Sequence, residues 1–353
     1  MGIYLFSDSS DIWQLKWNQD SSRPQFLCHG AEKSTYHSEL VKIFHDIQKS
    51  CDQRLKEMGF RAESYLLPGG IGIKFKKHPI HNLHELQTLP IIECDLSELE
   101  NFDLNCLNQE KISSLILPPK TKLPFSDLNS FNLRRLRAAK AISSDFGSLS
   151  KHPLEILELP DSSAENIRFC ENMPLRKLDI SGVQISHIPL LRKAQITNLN
   201  LFKTSIEEID DFNCDSLEEI VLSGSPIKSI TFLSDAKKLL KVEIRATSVR
   251  DLSPLANTPI KELHLPGSLV KSIDCLAYLP IETLNIIGLE LEDINCLSTL
   301  PLKSLSLSPE LLKSDEYEFI ANLEIPFLRG PADSPEQTAE EFFQKHINSV
   351  AME

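Results

Sequence analysis

The sequence predicts an α/β solenoid in which short parallel strands stack into one sheet. Three observations support this prediction. An apolar frame of the form Leu-x-x-Leu-x-Leu recurs from Ile91 onward at intervals of 21 residues, with one interval of 22 near Lys237–Lys238. Within each frame, inward and outward residues alternate as they do along a strand. Two further columns, at positions 14 and 17 of the repeat, are also apolar.

Eleven repeats share this frame, and we number them 1 to 11. They start at Ile91, Ile112, Leu133, Leu154, Leu175, Ile196, Leu217, Leu239, Ile260, Ile281 and Leu302. Positions 1, 4 and 6 are apolar throughout if Cys94 and Ala138 are counted, and positions 14 and 17 fail only in the last repeat, at Asp315 and Glu318. Because no single repeat can bury its own apolar side, neighbouring repeats must bury it for one another.

Residues 1–80 do not follow the frame and predict a small α+β domain that caps the first repeat. The expected order is strand, strand, helix, strand, strand, with the helix ending at Gly59. The predicted elements are strands at Ile3–Phe6 and Ile12–Trp17, a helix along the apolar positions Leu40 to Met58, and a hairpin of Glu63–Leu67 and Ile71–Phe75 around Pro68-Gly69-Gly70. We expect this domain to cover Ile91 and Cys94.

The repeats are expected to span residues 81–328, with a C-terminal helical cap or tail over 329–353. Leu323–Leu328 reads as a degenerate twelfth frame with Pro326 at position 4. Ser334 and Gln337 then match a capping box, which predicts a helix over 335–348 that seals or flanks the last repeat. The alternative is a loosely attached acidic tail.

The repeats resemble the leucine-rich repeat family over residues 91–328. The segments Ser248–Leu255 and Thr258–Leu265 are closest to its pattern. They are similar to short bacterial-type repeats, to the class typified by a regulatory subunit of protein phosphatase 1, and to arrays attached to bacterial Ser/Thr kinases. The resemblance implies a right-handed solenoid with a concave parallel sheet and short turns or 3₁₀ helices behind it.

Position 9 departs from that family, which often has Asn or Cys there. Five repeats carry a hydroxyl at this position: Ser162, Thr204, Ser225, Thr247 and Ser268. A hydrogen-bonded ladder inside the turns would therefore have to use hydroxyl groups.

Charge and cysteine content limit the partners and the compartment. The formal net charge is −13, made up of +2 over residues 1–80 and −15 over the rest, which disfavours nucleic acid or an anionic membrane as the main partner. Eight cysteines without a CxxC motif favour free thiols in a reducing compartment. The first ten residues lack the pattern of a secretory signal. We therefore expect a cytoplasmic protein.

No group of residues predicts a catalytic site, a cofactor or a metal. Gly69-Gly70-Ile71-Gly72 lacks the Lys-Ser/Thr of a phosphate loop. The set Cys28, His29, His45 and Cys51 does not have the spacing of a zinc site. A nucleophilic Cys51 paired with His37 or His45 is favoured even less than zinc. Cys275 and Cys296 both fall at position 16, and buried free thiols are favoured there over a disulfide.

Positions 2, 3 and 5 should project outward from the sheet and form the candidate binding face. Repeats 3 and 5 contribute a basic group there, only partly offset by Glu155 and Glu158, and this group suggests a partner with an acidic segment. The alternative is a solvated face whose charges pair across strands. The predicted partner-binding residues are Arg134, Arg135, Arg137, Arg176, Lys177, Asp179, Asn198, Asn200, Glu219, Lys241 and His264.

The function predicted from these observations is a non-enzymatic scaffold for protein–protein interaction. Two alternatives belong to other classes. In the first, residues 1–80 carry a small-ligand or catalytic site and the repeats act as a targeting arm. In the second, the protein is an extracellular leucine-rich adhesin.

Overall fold

A computed structural model describes residues 3–6, 12–16, 25–29, 35–67, 70–77, 86, 89, 91–334 and 337–350. Side chains within residues 3–44, and those of residues 47, 106 and 347–350, lie outside this description. The chain divides into two compact bodies. The N-terminal body comprises residues 1–138 and 151–153, and the C-terminal body comprises residues 139–150 and 154–353. The expected domain boundaries at residues 80 and 328 stay predictions.

The N-terminal body begins with a small antiparallel sheet and a long helix. Strands β1 (Ile3–Phe6), β2 (Ile12–Lys16) and β3 (Gln25–His29) pair in that order, and helix α1 spans Thr35–Glu57. The predicted order of elements was therefore incomplete, since it lacked β3. Cys28 and His29, which were considered and disfavoured as zinc ligands, fall on this strand, and their side chains lie outside the described residues.

The predicted hairpin is confirmed, and it covers the first repeat. Strands β4 (Ala62–Leu67) and β5 (Gly70–Phe75) pair antiparallel. Strand β5 then pairs parallel with β6 (Ile91–Asp95), so that Ile71 lies beside Ile91 and Ile73 beside Cys94. All four of these side chains are at most 3% exposed. The apolar edge of repeat 1 is therefore buried by the hairpin, as expected.

The repeat strands follow the predicted frame. In the N-terminal body, β6 is followed by β7 (Ser114–Ile116) and β8 (Arg135–Arg137), all parallel. The C-terminal body contributes nine more parallel strands: β9 (Ile156–Glu158), β10 (Lys177–Asp179), β11 (Asn198–Asn200), β12 (Glu219–Val221), β13 (Lys241–Glu243), β14 (Glu262–His264), β15 (Thr283–Asn285), β16 (Ser304–Ser306) and β17 (Phe327–Arg329). Strands β7 to β16 each begin at position 3. Most repeats carry a 3₁₀ turn on the side away from the sheet, as at Ser253–Leu255.

The twelfth frame was predicted two residues too early. Strand β17 pairs with β16 so that Leu328 lies beside Leu305, which occupies position 4 of repeat 11. Leu328 therefore takes the inward position that had been given to Pro326. The apolar columns fail at Asp315 and Glu318 because helix α2 (Ser314–Ala321) replaces the usual turn there.

A C-terminal helix packs on the last strand, but it begins later than predicted. Helix α3 spans Ala339–Val350, and residues 335–336 of the predicted helix lie outside the described residues. Thr338 and Glu341 form the capping box: the Thr338 amide donates to Glu341 Oε2 at 2.9 Å, and the Glu341 amide donates to Thr338 Oγ1 at 3.3 Å. Phe342 is fully buried.

The hydroxyls at position 9 do not form a ladder between repeats. Thr204 Oγ1 donates to the carbonyl of Leu201 at 3.0 Å, and Thr247 Oγ1 donates to that of Ile244 at 2.9 Å. Each bond stays inside one turn and spans three residues. The Ser162 and Ser268 hydroxyls are buried and have no hydrogen-bond partner among the described residues.

Candidate interaction surface

Each repeat strand buries the residue at position 4, and most strands leave the residues on either side of it partly exposed. Leu178, Leu199 and Leu263, at position 4, are at most 2% exposed, which confirms the predicted register. Lys177 and Glu262, at position 3, are partly exposed. The exposed face of the sheet is therefore formed by side chains from positions 2, 3 and 5, as the alternation predicts.

Backbone hydrogen bonds between neighbouring repeats hold the turn that follows each strand. In the C-terminal body, the Gly182 amide donates to the Phe202 carbonyl at 2.6 Å, and the Lys203 amide donates to the Ser223 carbonyl at 2.9 Å. The residue at position 8 has a positive φ in repeats 3 to 10, whether it is Gly182 (φ 73°) or Ala246 (φ 50°). These bonds and the shared positive φ repeat the same backbone turn along the array.

Two of the predicted binding residues have a structural role in these turns. Asp179 Oδ1 accepts a hydrogen bond from the Ser181 amide at 3.0 Å, and Asn200 Oδ1 accepts one from the Phe202 amide at 3.0 Å. Both are Asx turns, which stabilise the reversal after the strand. A partner can reach these side chains only at atoms that the turn does not already use.

In the N-terminal body, the exposed face is organised around the buried carboxylate of Glu93. Tyr65 reaches across Gly72, whose missing side chain leaves room for the ring, and donates from its hydroxyl to Glu93 Oε1 at 2.5 Å. Ser114 donates to Glu93 Oε2, and Arg135 Nη1 lies 3.4 Å from the same oxygen. Burial and the bond to Glu93 both raise the pKa of Tyr65, which keeps its hydroxyl protonated as a donor.

The five basic residues predicted to bind an acidic partner fall into two sets. Arg134, Arg135 and Arg137 belong to the N-terminal body, and Arg135 is paired with Glu93. Arg176 and Lys177 belong to the C-terminal body, where Lys177 Nζ lies 2.9 Å from Glu158 Oε1 and Arg176 is exposed.

Repeats 6 and 7 form a polar contact on the same face. Asn198 Nδ2 donates to Glu219 Oε2 at 2.8 Å, and these two predicted residues lie on neighbouring strands. The carboxylate is exposed. Glu219 therefore keeps an oxygen that a partner can reach.

In repeats 8 and 9, the predicted binding residues Lys241 and His264 both contact the carboxylate of Glu262. Lys241 Nζ lies 3.2 Å from Glu243 and 2.9 Å from Glu262, whose Oε1 is also 2.6 Å from His264 Nε2. Burial by itself lowers the pKa of Lys241, but the bonds to Glu262 and Glu243 outweigh it and the pKa is raised. Burial raises the pKa of Glu262, but the bonds from His264 and Lys241 outweigh it and the pKa is lowered.

Sequence reasoning named Glu158 as a partial offset of the basic group but did not predict its burial, and it missed Glu93 altogether. Glu93 and Glu158 are buried at positions 3 and 5, on a face that was expected to be exposed. A carboxylate at an outward position one repeat away from a basic residue was a usable signal, because the period fixes which residues are neighbours. Tyr65 left no such signal, since its contact with Glu93 depends on how β4 and β5 join the repeats.

The described cysteines are not activated for catalysis. Burial raises the pKa of Cys51, and it raises that of Cys94 and of Cys296 to about 12, whereas a nucleophilic cysteine needs a lowered pKa. Both Cys275 and Cys296 are free thiols. Among the described residues, no three His, Cys, Asp or Glu side chains lie where they could share a metal ion, and no helix is long and apolar enough to cross a membrane.

Two clefts lie outside the exposed face of the sheet. One, of about 890 Å³, lies in the N-terminal body between the loops that follow β6 and β7, and both signs of charge line it, including Lys77, Glu98 and Lys122. The other, of about 480 Å³, lies in the C-terminal body beside the stacked rings of Phe146 and Phe169.

Comparisons with known proteins give neighbours among solved structures only. No family model matches the chain, and no curated protein matches it. An internalin, InlF, from Listeria monocytogenes is 19% identical, with a TM-score of 0.41, and the match covers 62% of this chain and 82% of InlF. The functional domain of InlJ from the same organism, which includes a cysteine ladder, is 18% identical, with a TM-score of 0.48 and coverage of 67% and 56%.

A leucine-rich repeat protein from Leptospira interrogans is 15% identical, with a TM-score of 0.47, and the match covers 70% of this chain and 80% of that one. The solenoid described above rests on the strand register and the buried columns of this chain, and no partner follows from these neighbours.

Proposed function

We propose that this protein is a non-enzymatic scaffold that binds a protein partner on the exposed face of its repeat sheet. The observation that supports this most is the regular presentation of side chains by β9 to β17. At each step a buried residue at position 4 anchors the strand, while positions 2, 3 and 5 carry mostly charged, amide and hydroxyl groups at a spacing of about 4.8 Å. A rigid array of this kind suits an extended partner surface.

The charges on this face are largely fixed before any partner arrives. Lys241, Glu243, Glu262 and His264 hold one another within 3.2 Å, so little side-chain freedom is lost when a partner binds. We propose that the partner presents an acidic segment to the exposed basic side chains. Arg176 is the most suitable of these, since it is exposed. Arg135 is less suitable, because Glu93 already holds it.

Charge reversal of Arg176 tests this proposal. The full-length chain is used to capture a partner, and the purified pair is then measured with Arg176→Glu and with Arg250→Glu, which makes the same charge change at an exposed residue outside the strands. We expect Arg176→Glu to weaken binding about tenfold at low salt, mainly through slower association, with a smaller effect at high salt. If the two variants behave alike, the sheet face is not the binding surface.

We also propose a reducing, cytoplasmic location, in line with the six described cysteines, which are all free thiols. The adhesin alternative would place these thiols in an oxidising environment. Thiol labelling of the unfolded protein, taken directly from its native source, distinguishes the two locations. We expect every cysteine to react before any reductant is added.

A further inference from the structure

Arg329 is a basic residue on the exposed face, and no carboxylate among the described residues pairs with it. It lies at position 5 of the last strand, β17, directly beside Ser306 of β16. Its Nη2 donates to Ser304 Oγ at 2.9 Å. Its Nε is buried and has no hydrogen-bond partner in the part of the chain that the structure describes. A buried donor without a partner is uncommon and is one sign of a ligand that completes the site.

Three other basic residues of the repeat strands, all at position 3, have an acid close by. Arg135 has Glu93, Lys177 has Glu158, and Lys241 lies 2.9 Å from Glu262. Across the described residues, no carboxylate oxygen lies within 4.0 Å of the Arg329 guanidinium.

The acid nearest in sequence to Arg329 is engaged elsewhere. Asp333 Oδ2 accepts a hydrogen bond from the Gly330 amide at 2.5 Å and lies 3.5 Å from His346, and its other oxygen is bound by Lys345. Its side chain is 1% exposed. Asp333 therefore holds helix α3 in place and does not neutralise Arg329.

The residues around Arg329 supply hydrogen-bond donors and one exposed aromatic ring. We call this set the Arg329 patch, and it consists of the position 3 and position 5 residues of β15, β16 and β17: Thr283, Asn285, Ser304, Ser306, Phe327 and Arg329. Positions 3 and 5 hold no acidic residue here, and at position 2 of repeats 10 and 11 Glu282 is paired with Lys303. Asn285 Oδ1 accepts from the Ile287 amide, which leaves the amide nitrogen as a donor, and Phe327 is 40% exposed.

We propose that the Arg329 patch binds an acidic residue of a protein partner, with an apolar neighbour of that residue resting on Phe327. A single guanidinium matches a single negative charge, and its planar fork pairs with the two oxygens of a carboxylate. The Asn285 amide nitrogen can donate to the same group, whereas Ser304 and Ser306 are buried. Exposed aromatic residues beside arginine are typical of the residues that dominate interfaces. This inference rests on the proposed scaffold function and adds the chemistry of one contact.

A peptide titration tests the patch without knowledge of the partner. Full-length protein labelled with ¹⁵N-arginine is titrated with acetyl-Leu-Glu-Leu-amide, and the Nε–Hε signal of Arg329, identified by its loss in Arg329→Lys, is followed. We expect this signal to move with the glutamate peptide, and binding to be at least tenfold weaker for acetyl-Leu-Gln-Leu-amide and for the protein variant Phe327→Ser. The control variant Arg250→Gln removes the same charge elsewhere and should bind the glutamate peptide as the unchanged protein does.

Three results would overturn the proposal. The Arg329 signal does not move with the glutamate peptide, the glutamine peptide binds equally well, or a phosphoserine peptide of the same design binds more than tenfold tighter and so marks a phosphate site. The scaffold function is judged separately, by Arg176→Glu and the captured partner. If Arg329→Gln leaves that partner's affinity unchanged while Arg176→Glu lowers it, the scaffold function stands and the patch proposal fails.

Discussion

Lys177 and Leu178 are neighbours in the chain, and both matter for stability, for different reasons. Leu178 is fully buried at position 4. Lys177 points the other way, with its side chain 44% exposed, but its amino group lies 2.9 Å from Glu158, whose side chain is only 5% exposed. Removing Lys177 therefore takes an ion-pair partner from a buried carboxylate.

We expect Leu178→Ala to lower the free energy of unfolding by about 2–5 kcal/mol through the cavity it leaves. Lys177→Ala should lower it by about 1–3 kcal/mol, because Glu158 loses a charged partner. Urea unfolding of both variants measures these costs. With Glu158→Gln in the background, Lys177→Ala should cost less than about 0.5 kcal/mol. Equal costs of Lys177→Ala in the two backgrounds would contradict the pairing.

The sequence predicted the direction of these side chains but not their partners. Alternation around Leu178 is enough to place Lys177 outward, and an outward lysine alone suggests tolerance to substitution. Lys177 and Glu158 lie diagonally across adjacent strands, because Asp179 and not Lys177 is directly opposite Glu158. The burial of Glu158 depends on the side chains around it, which a period does not specify.

The turns after the strands are the elements that the apolar pattern described least well. Position 8 is Lys, Asp, Gly or Ala in different repeats, yet φ is positive there from Lys140 to Gly288. The shared property belongs to the backbone, so a search for apolar columns does not find it. The start of α3 was misplaced for a similar reason. Both Ser334/Gln337 and Thr338/Glu341 resemble a capping box, and only the packing of the helix on β17 decides which pair forms it.

Two glycines at position 8 allow the cost of a left-handed backbone to be measured separately from the cost of steric crowding. Gly267 has φ 69°, and an added Cβ would meet nothing closer than 3.7 Å, whereas at Gly182 (φ 73°) it would lie 2.0 Å from Asp161 Oδ1. We expect Gly267→Ala to cost about 1 kcal/mol through the left-handed backbone alone. Gly182→Ala should cost about 1–3 kcal/mol more, because Asp161 must move.

Equilibrium unfolding of both glycine variants, with and without Asp161→Ala, measures the difference. In the Asp161→Ala background, the cost of Gly182→Ala should fall to that of Gly267→Ala. A cost that stays high in this background would mean that the crowding has another source.

At the scale of the whole molecule, the sequence determined the architecture far better than the binding face. Eleven repeats supply the same information many times, so the errors in single repeats, such as Ala138 at position 6, do not affect the period. A binding face has no such repetition. Its character depends on single contacts, including those of Tyr65 with Glu93 and of Arg329 with Ser304, and these follow from how strands of unequal sequence lie beside one another.

The dependence of stability on pH should show two separate steps. Burial lowers the pKa of His152 below its ordinary 6.5, so the unfolded chain takes up this proton first, and stability is lost as pH falls through 6.5 and levels off below the folded pKa. The pKa of Glu262 and that of Asp333 are also lowered. Burial alone would raise both pKa values. The bond from His264 to Glu262 and the bond from Lys345 to Asp333 outweigh it. Their contribution is complete above about pH 4.5 and is lost as pH falls through their folded pKa values.

Urea midpoints measured from pH 8 to pH 3 should resolve both steps, since the His152 step begins as pH falls through 6.5 and the carboxylate step begins only at about pH 4.5. His152→Gln should remove the loss that begins near pH 6.5 and leave the acid step in place, because the carboxylates are unchanged. Glu262→Gln should reduce the acid step and leave the upper one. Because this variant is also less stable at pH 7, the slopes of the urea midpoint against pH are compared, and not the midpoints themselves. A single acid step that neither substitution alters would show that the stability of the chain at low pH is governed by its overall charge and not by these three side chains.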